Sequence, residues 1–127
     1  MLLNCNVNRK AILIADDEEI GLYTLTRLLG GKYTNILAKN GKEAFDMFIN
    51  ENPDLILMDV MMPEFDGIWA CEKIKSIKPD IPVIAVTARA MPFEKEEILK
   101  HGFDDYISKP IDDELLHQMI EKYLFNR

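Results

Sequence analysis

The sequence has 127 residues, of which 48% are hydrophobic and 29% are charged, with a formal net charge of -7 at pH 7. This length fits one globular domain and leaves no room for a second. The negative charge repels nucleic-acid phosphates and anionic lipids, which excludes both as expected partners. The longest apolar runs fall far short of the roughly 20 residues that a membrane span needs, and residues 1–3 are too short for a secretory signal. We therefore expect a cytoplasmic protein with a leader at residues 1–9 and one domain at residues 10–127.

Short strand patterns alternate with helical patterns along the chain. Strands are predicted at residues 11–15, 33–38, 55–58, 83–86 and 105–107, and helical patterns follow Glu18, Asn40, Gly67, Pro92 and Asp112. The first, third and fourth strands are continuously apolar, which is typical of strands that helices cover on both faces of a parallel sheet. The sequence therefore predicts an α/β fold with an open, doubly wound sheet and five helices.

One helix boundary carries a specific local signal. Asn40 followed by Glu43 is typical of a capped helix start, and Pro53 is expected to end the same helix. After residue 113, apolar side chains recur on one face as far as residue 124. This spacing predicts an amphipathic helix that closes the fold.

Polar side chains stand where the predicted strands end. Asp16 and Asp17 follow the first strand, Asp59 the third, Thr87 the fourth and Lys109 the fifth. Doubly wound sheets bind ligands beyond the carboxyl ends of their strands, so folding is expected to gather these residues on one rim. Three neighbouring carboxylates repel one another unless a cation is present, and oxygen-only ligands favour a hard ion. The sequence therefore predicts a Mg²⁺ site at Asp16, Asp17 and Asp59.

Thr87 and Lys109 add a hydroxyl group and an ammonium group to the same rim. Both are donors that can bind phosphoryl oxygens. The carboxylate of an aspartate is a competent nucleophile for a phosphoryl group. This combination indicates phosphoryl transfer onto an aspartate.

Four segments together resemble the receiver domain of bacterial response regulators and hybrid histidine kinases. They are Ile-Leu-Ile-Ala-Asp-Asp-Glu-Glu at 12–19, Leu-Ile-Leu-Met-Asp-Val-Met-Met-Pro-Glu-Phe-Asp-Gly at 55–67, Val-Ile-Ala-Val-Thr-Ala-Arg at 83–89 and Asp-Asp-Tyr-Ile-Ser-Lys-Pro-Ile at 104–111. Their order and spacing match the family over nearly the whole chain. The resemblance implies a flavodoxin-like sheet with strand order 2-1-3-4-5.

The resemblance also implies a role for each rim residue. Asp59 is then the phosphoacceptor, and Asp17, Asp59 and the Met61 carbonyl group bind Mg²⁺ directly, while Asp16 acts mainly through water. Mn²⁺ is expected to substitute for Mg²⁺. Thr87 and Lys109 bind the phosphoryl group, Thr87 and Tyr106 form a switch pair, and the Lys109–Pro110 bond is cis.

By the same resemblance, the chain is a regulatory phosphoacceptor domain and not an enzyme acting on a separate substrate. A histidine kinase or a histidine phosphotransfer domain supplies the phosphoryl group, and the domain catalyses its own phosphorylation and dephosphorylation. The segments around Thr87 and Lys109 resemble receivers of hybrid kinases more than receivers fused to DNA-binding domains. A complete single-domain regulator is the main alternative.

Two other functional classes fit the residues less well. A magnesium-dependent phosphatase of doubly wound fold usually needs a second acid two residues after its nucleophile, and Met61 stands at that position. A flavodoxin-like electron carrier lacks its hydroxyl-rich phosphate loop after the first strand. Phosphoacceptor signalling therefore remains the prediction that the residues favour.

Several further residues are expected to be structural. Cys5 and Cys71 lack the spacing of a disulfide framework or a zinc site, so both are predicted to be free thiols. His101 is predicted to be a cation at a helix C-terminus and His117 a solvated helix residue. For Trp69, packing and partner contact remain equally open. The last helix has many acidic residues and few basic ones, which predicts a monomer.

Overall fold

The computed structural model describes residues 9–88 and 92–125. Five strands and five helices alternate within these ranges: β1 (Ala11–Ala15), α1 (Glu19–Leu29), β2 (Thr34–Ala38), α2 (Gly41–Glu51), β3 (Leu55–Asp59), α3 (Gly67–Ile77), β4 (Val83–Thr87), α4 (Pro92–Lys100), β5 (Asp105–Ser108) and α5 (Asp113–Phe125). All pairings are parallel, in the order β2-β1-β3-β4-β5. The predicted fold class, helix count and strand order are therefore confirmed. None of the described helices is long and apolar enough to span a membrane.

The apolar strands occupy the centre of the sheet, as predicted. Every residue of β3 and β4 is buried, and β1 is buried from Ile12 onward. Alternate side chains enter two separate cores, because successive residues of a strand point to opposite faces. One core contains the apolar faces of α1 and α5, and the other contains those of α2, α3 and α4. The sheet is thus covered on both sides.

The start of α2 carries the predicted cap. The Asn40 side chain accepts a hydrogen bond from the Glu43 N–H group at 2.8 Å, and a Glu43 carboxylate oxygen accepts one from the Lys39 N–H group at 2.9 Å. These two bonds satisfy backbone donors at the helix start. The helix ends at Glu51, just before the predicted stop at Pro53.

Three strands are each one residue longer than the sequence pattern predicted. β3, β4 and β5 continue to Asp59, Thr87 and Ser108, while β2 begins at Thr34, one residue later than expected. The apolar pattern stops at the last apolar side chain, but backbone pairing between neighbouring strands continues past it. Asp59 and Thr87 are therefore strand residues whose backbones are held by the sheet.

The amino ends of the strands carry two carboxylates that accept hydrogen bonds from backbone or side-chain donors. Asp104 accepts hydrogen bonds from the Val83 N–H group at 2.8 Å and from the Lys75 ammonium group at 2.7 Å. Asp54 accepts one from the Ala11 N–H group at 2.8 Å. These contacts join α3, β4 and β1 to the loops that enter the sheet.

Candidate functional site

Three carboxylates meet at the carboxyl end of the central strands. Asp16 directly follows β1, and Asp59 is the last residue of β3. One oxygen from each of Asp16, Asp17 and Asp59 lies within 4.8 Å of the others. Asp16 is only 1% exposed and Asp59 6%, whereas Asp17 is exposed. The structure therefore brings together the three residues that the sequence predicted at this rim.

Lys109 lies between two of these carboxylates. Its ammonium nitrogen is 3.2 Å from Asp16 Oδ2 and 3.2 Å from Asp59 Oδ2. The Lys109 N–H group donates to the Thr87 carbonyl oxygen at 2.8 Å, which fixes the loop after β5 against the end of β4. The peptide bond between Lys109 and Pro110 is cis. The Lys109 ammonium group is thus shared by two buried carboxylates.

Backbone N–H groups hold the other oxygen of each buried carboxylate. The Glu18 N–H group donates to Asp16 Oδ1 at 2.9 Å, and the Met61 N–H group donates to Asp59 Oδ1 at 3.1 Å. Each bond closes a tight loop just after a strand. Both carboxylates are consequently oriented before any ligand binds.

The protein does not fully compensate the negative charge at Asp59. The pKa of Asp59 is raised from its ordinary value to about 6: burial is the largest cause and the neighbouring Asp16 adds to it, while Lys109 acts in the opposite direction. Burial alone would lower the pKa of Lys109, but Asp59 and Asp16 together raise it above its ordinary value. A second cation near these carboxylates would therefore be stabilised.

The donor set suits a hard divalent ion. The cluster contains carboxylate oxygens, and one of its members, Asp17, faces solvent, so a bound ion could keep part of its water shell. Mg²⁺ prefers oxygen ligands and releases its water molecules reluctantly. The acidic cluster therefore fits Mg²⁺, with Asp16, Asp17 and Asp59 as the residues that could hold it.

Thr87 and Tyr106 lie on neighbouring strands. Thr87 is buried at the end of β4 and pairs in register with Ser108, while Tyr106 pairs with Ala85, two residues earlier. Tyr106 is half-buried against the core formed with α2, α3 and α4. The Lys95 ammonium nitrogen lies 5.2 Å from the centre of the Tyr106 ring. This ring is therefore partly covered by α4.

Trp69 belongs to an aromatic cluster beside the loop that follows β3. Its ring centre lies 4.8 Å from that of Phe65 and 6.3 Å from that of Phe45, and the Lys73 ammonium group is 5.9 Å from the ring. Trp69 is half-buried, while Phe65 is more exposed. The sequence left open whether Trp69 packs within the domain or contacts a partner, and the structure shows that one side of its indole ring is packed.

The remaining polar candidates have structural contacts. Cys71 is buried and free, and burial raises the pKa of its thiol to about 12, while Cys5 lies outside the described residues. His101 follows α4, and its Nδ1 atom is 2.9 Å from a Glu72 carboxylate oxygen. The prediction for His117 was wrong: it is half-buried, with Nε2 2.8 Å from the Leu28 carbonyl oxygen.

Sequence patterns missed two glycines that shape the site. A Cβ atom on Gly67 would lie 2.2 Å from the Asp59 carbonyl oxygen, so the loop after β3 packs closely only with glycine there. A Cβ atom on Gly21 would lie 2.0 Å from Asp16 Oδ2. The first has a sequence signal in the Asp66-Gly67 pair, whereas Gly21 lies in an ordinary helical pattern.

Comparisons with known proteins agree with this geometry. Residues 12–121 match the family model described as the response regulator receiver domain. The chain is 39% identical over 115 residues to the signal transduction histidine-protein kinase BarA of Escherichia coli strain K12, covering 88% of this chain but 12% of that kinase. It is 38% identical over 110 residues to the response regulator MprA of Mycolicibacterium vanbaalenii, covering 85% of this chain and 48% of that protein.

A solved structure supports the same assignment. The receiver domain of the Francisella response regulator 1452 superimposes with a TM-score of 0.83 at 30% identity, covering 93% of this chain and 98% of that domain. Receiver domains interact with histidine kinases or phosphotransfer partners, and their acidic cluster binds Mg²⁺. The chain therefore belongs to the response regulator receiver domain family and is a regulatory phosphoacceptor domain of two-component signalling systems.

Proposed function

We propose that Asp59 accepts the phosphoryl group from a phosphohistidine of a histidine kinase or a histidine phosphotransfer domain. The observation that carries this proposal is the surroundings of the Asp59 carboxylate. Oδ1 is held by the Met61 N–H group, and Oδ2 faces the Lys109 ammonium group at 3.2 Å. Asp16 is engaged by Lys109 in the same way, but it is enclosed almost completely. Asp59 is thus the oriented acid that a donor could approach.

The metal site proposed here consists of Asp17, Asp59 and the Met61 carbonyl group, with Asp16 acting mainly through water. Bound Mg²⁺, or Mn²⁺ in its place, supplies positive charge that offsets the incoming phosphoryl group. The exposure of Asp17 and the burial of Asp16 support this division of roles.

Lys109 and Thr87 are proposed to bind the phosphoryl oxygens once the group is on Asp59. Lys109 already lies beside Asp59 Oδ2, and a phosphoryl group at that oxygen would meet its ammonium group directly. Thr87 ends β4, and Asp59 is the residue of β3 that pairs with its neighbour Val86. The domain would in this way catalyse its own phosphorylation and dephosphorylation.

Thr87 and Tyr106 are proposed as the switch pair. Movement of the Thr87 hydroxyl group toward a phosphoryl group would vacate space on the neighbouring strand, and the half-buried Tyr106 ring would move into it. Lys95 covers that ring from α4, so its movement would alter the surface of α4, β5 and α5. This surface is the proposed contact for a downstream protein.

The donor is proposed to dock beside α1. Ile20 and Tyr23 are large exposed apolar side chains on this helix. A groove of about 370 Å³ runs between α1 and the loop after β5, and its lining includes Ile20, Ile111 and Lys109. A partner helix seated there would place a phosphohistidine near the acceptor.

The proposed domain spans residues 10–127 and acts in the cytoplasm as the receiver of a hybrid histidine kinase, with a single-domain regulator as the alternative. Similarity to BarA supports the first form. The chain spans 12% of that kinase and 48% of MprA.

Intact-mass measurement with acetyl phosphate tests the acceptor. We expect a single phosphoryl adduct in the presence of Mg²⁺ or Mn²⁺, no adduct in excess chelator and none on Asp59→Asn. Asp54→Asn is the matched control, because this carboxylate lies at the opposite end of β3, and it should label like the wild-type protein. An undiminished adduct on Asp59→Asn would refute the assignment.

A further inference from the structure

The backbone of α1 approaches the Asp16 carboxylate more closely than any side chain would allow. Gly21 lies in the first turns of α1, and a Cβ atom built on it would be 2.0 Å from Asp16 Oδ2 and 2.5 Å from Asp16 Cγ. Non-bonded carbon and oxygen atoms do not come this close in a packed protein. The position that Asp16 occupies therefore exists only because residue 21 lacks a side chain.

Asp16 makes two contacts in that position. Its Oδ1 atom accepts a hydrogen bond from the Glu18 N–H group at 2.9 Å, and its Oδ2 atom lies 3.2 Å from the Lys109 ammonium nitrogen. The oxygen that Gly21 accommodates is thus the same oxygen that holds Lys109. A displacement of this oxygen would loosen Lys109 as well.

We infer that Gly21 is a positioning residue, which lets the Asp16 carboxylate pack against α1, where it anchors Lys109, and so limits its approach to Asp17 and Asp59. Asp16 is only 1% exposed. One of its oxygens lies within 4.8 Å of oxygens of Asp17 and Asp59, so a shift away from α1 would change its distance to both. The inference about metal binding rests on the proposed function. The close packing of Gly21 against Asp16 is independent of that function.

Gly21→Ala would push Asp16 Oδ2 away from α1 by roughly 1 Å or more, since real Cβ contacts below 3.0 Å are essentially absent. The carboxylate would move toward Asp17 and Asp59 and lose part of its contact with Lys109. Like charges that stand closer together repel more strongly and bind a cation more tightly. We therefore expect tighter Mg²⁺ binding but a less stable metal-free protein.

The test is a double-mutant cycle with Gly21→Ala and Asp16→Ala. Calorimetric titration should give a Mg²⁺ dissociation constant about 3- to 10-fold lower for Gly21→Ala than for the wild-type protein. In excess chelator, the urea midpoint of Gly21→Ala should fall, although alanine is the better helix former. In the Asp16→Ala background, Gly21→Ala should leave the dissociation constant unchanged and should no longer lower the midpoint, because the clashing carboxylate is gone.

Gly31→Ala is the matched control for the substitution itself. A Cβ atom at Gly31 meets no atom within 4 Å, so this variant should bind Mg²⁺ like the wild-type protein. General damage to α1 would behave differently from the inference, since it would weaken Mg²⁺ binding and lower the midpoint in both backgrounds. That result would overturn the inference, as would a dissociation constant of Gly21→Ala equal to that of the wild-type protein.

The chelator measurements also separate this inference from the proposed metal site. If the wild-type protein took up no Mg²⁺, the proposed metal site would fail. The urea midpoints would still decide the role of Gly21. Coupling between Gly21 and Asp16 would support it, and additive midpoints would overturn it.

Discussion

Both ends of the sheet carry carboxylates, but the two ends differ in how the protein compensates their charge. At the amino ends of the strands, Asp104 receives an ammonium group and a backbone N–H group of its own, and Asp54 receives a backbone N–H group. At the carboxyl ends, Asp16 and Asp59 share Lys109. Burial and the neighbouring acid raise the pKa of Asp59 to about 6.

This difference distinguishes carboxylates that stabilise the fold from carboxylates that are suited to bind a ligand. A buried charge with its own donors stabilises the elements that supply those donors. A buried charge that shares its cation lowers the stability of the metal-free protein and gains from an added cation. Removal of a carboxylate charge at the two ends should therefore change stability in opposite directions.

Asp104→Ala should produce the largest loss of stability. It removes the carboxylate partner of the Lys75 ammonium group and an acceptor for the Val83 N–H group, and it should cost about 2–3 kcal/mol of unfolding free energy. Urea denaturation checks this value. Asp46→Ala is the control, because its ion pair with Lys42 is exposed and should contribute less than about 0.5 kcal/mol. Equal losses in the two variants would contradict the structural role of Asp104.

Lys109→Ala should destabilise the metal-free protein by about 1–2 kcal/mol, because two buried carboxylates lose their shared cation. Mg²⁺ binding should remain largely intact, since Lys109 is not expected to be a ligand of the metal. Phosphorylation by acetyl phosphate should be weakened. Calorimetry and intact mass report the two effects separately. Loss of metal affinity as severe as in Asp17→Ala would show that the roles of these residues are wrongly divided.

Asp59→Asn should have the opposite sign and stabilise the metal-free protein at pH 7. The increase of the Asp59 pKa from 3.8 to about 6 sets an upper limit of about 3 kcal/mol. The attraction of Lys109 is already included in this shift, and the weaker hydrogen bonds of the amide leave a gain of about 1–2 kcal/mol. Urea denaturation in chelator measures it. Added Mg²⁺ should stabilise the wild-type protein more than the variant, and a destabilised Asp59→Asn protein in chelator would count against the shared-cation argument.

The gain from Asp59→Asn should depend on pH in a defined direction. Between pH 3.8 and about 6, the folded state retains a proton on Asp59 that the unfolded state has released. Stability of the wild-type protein from this group therefore falls as pH rises through that window and stays low above it. Unfolding free energies of both proteins across this range should diverge as pH rises. A gap that widens as pH falls would refute the assigned pKa shift.

The fold was predictable where burial dominates the sequence. The apolar runs at β1, β3 and β4 predicted the three central strands, because covered parallel strands have no polar face. The strand order came from the family resemblance and not from periodicity, which does not determine which strands are neighbours. Strand ends at Asp59 and Thr87 were placed one residue early, since their polar side chains conceal the continued backbone pairing.

The site was predictable where it depends on strand ends and not where it depends on contacts between elements. Asp16, Asp59 and Lys109 meet because parallel strands end at one rim, so their positions in the sequence were sufficient. The close approach of Gly21 to Asp16 depends on how α1 crosses that rim. The contact of His117 with the Leu28 carbonyl group likewise joins α5 to α1. Neither contact has a local sequence signal.

The smallest expected effect concerns association of the protein through the exposed surface of α5. Between Asp112 and Tyr123, α5 and its start carry four acidic side chains and one lysine: Asp112, Asp113, Glu114, Glu121 and Lys122. A symmetric dimer through this face would place like charges opposite each other, and salt would screen them over about 8 to 10 Å. We therefore expect a monomer of 14.7 kDa at micromolar concentration, both free and with beryllofluoride and Mg²⁺. Light scattering after size exclusion measures the mass, and a clean shift to twice this value on adding beryllofluoride would show that acidic α5 faces do not prevent pairing.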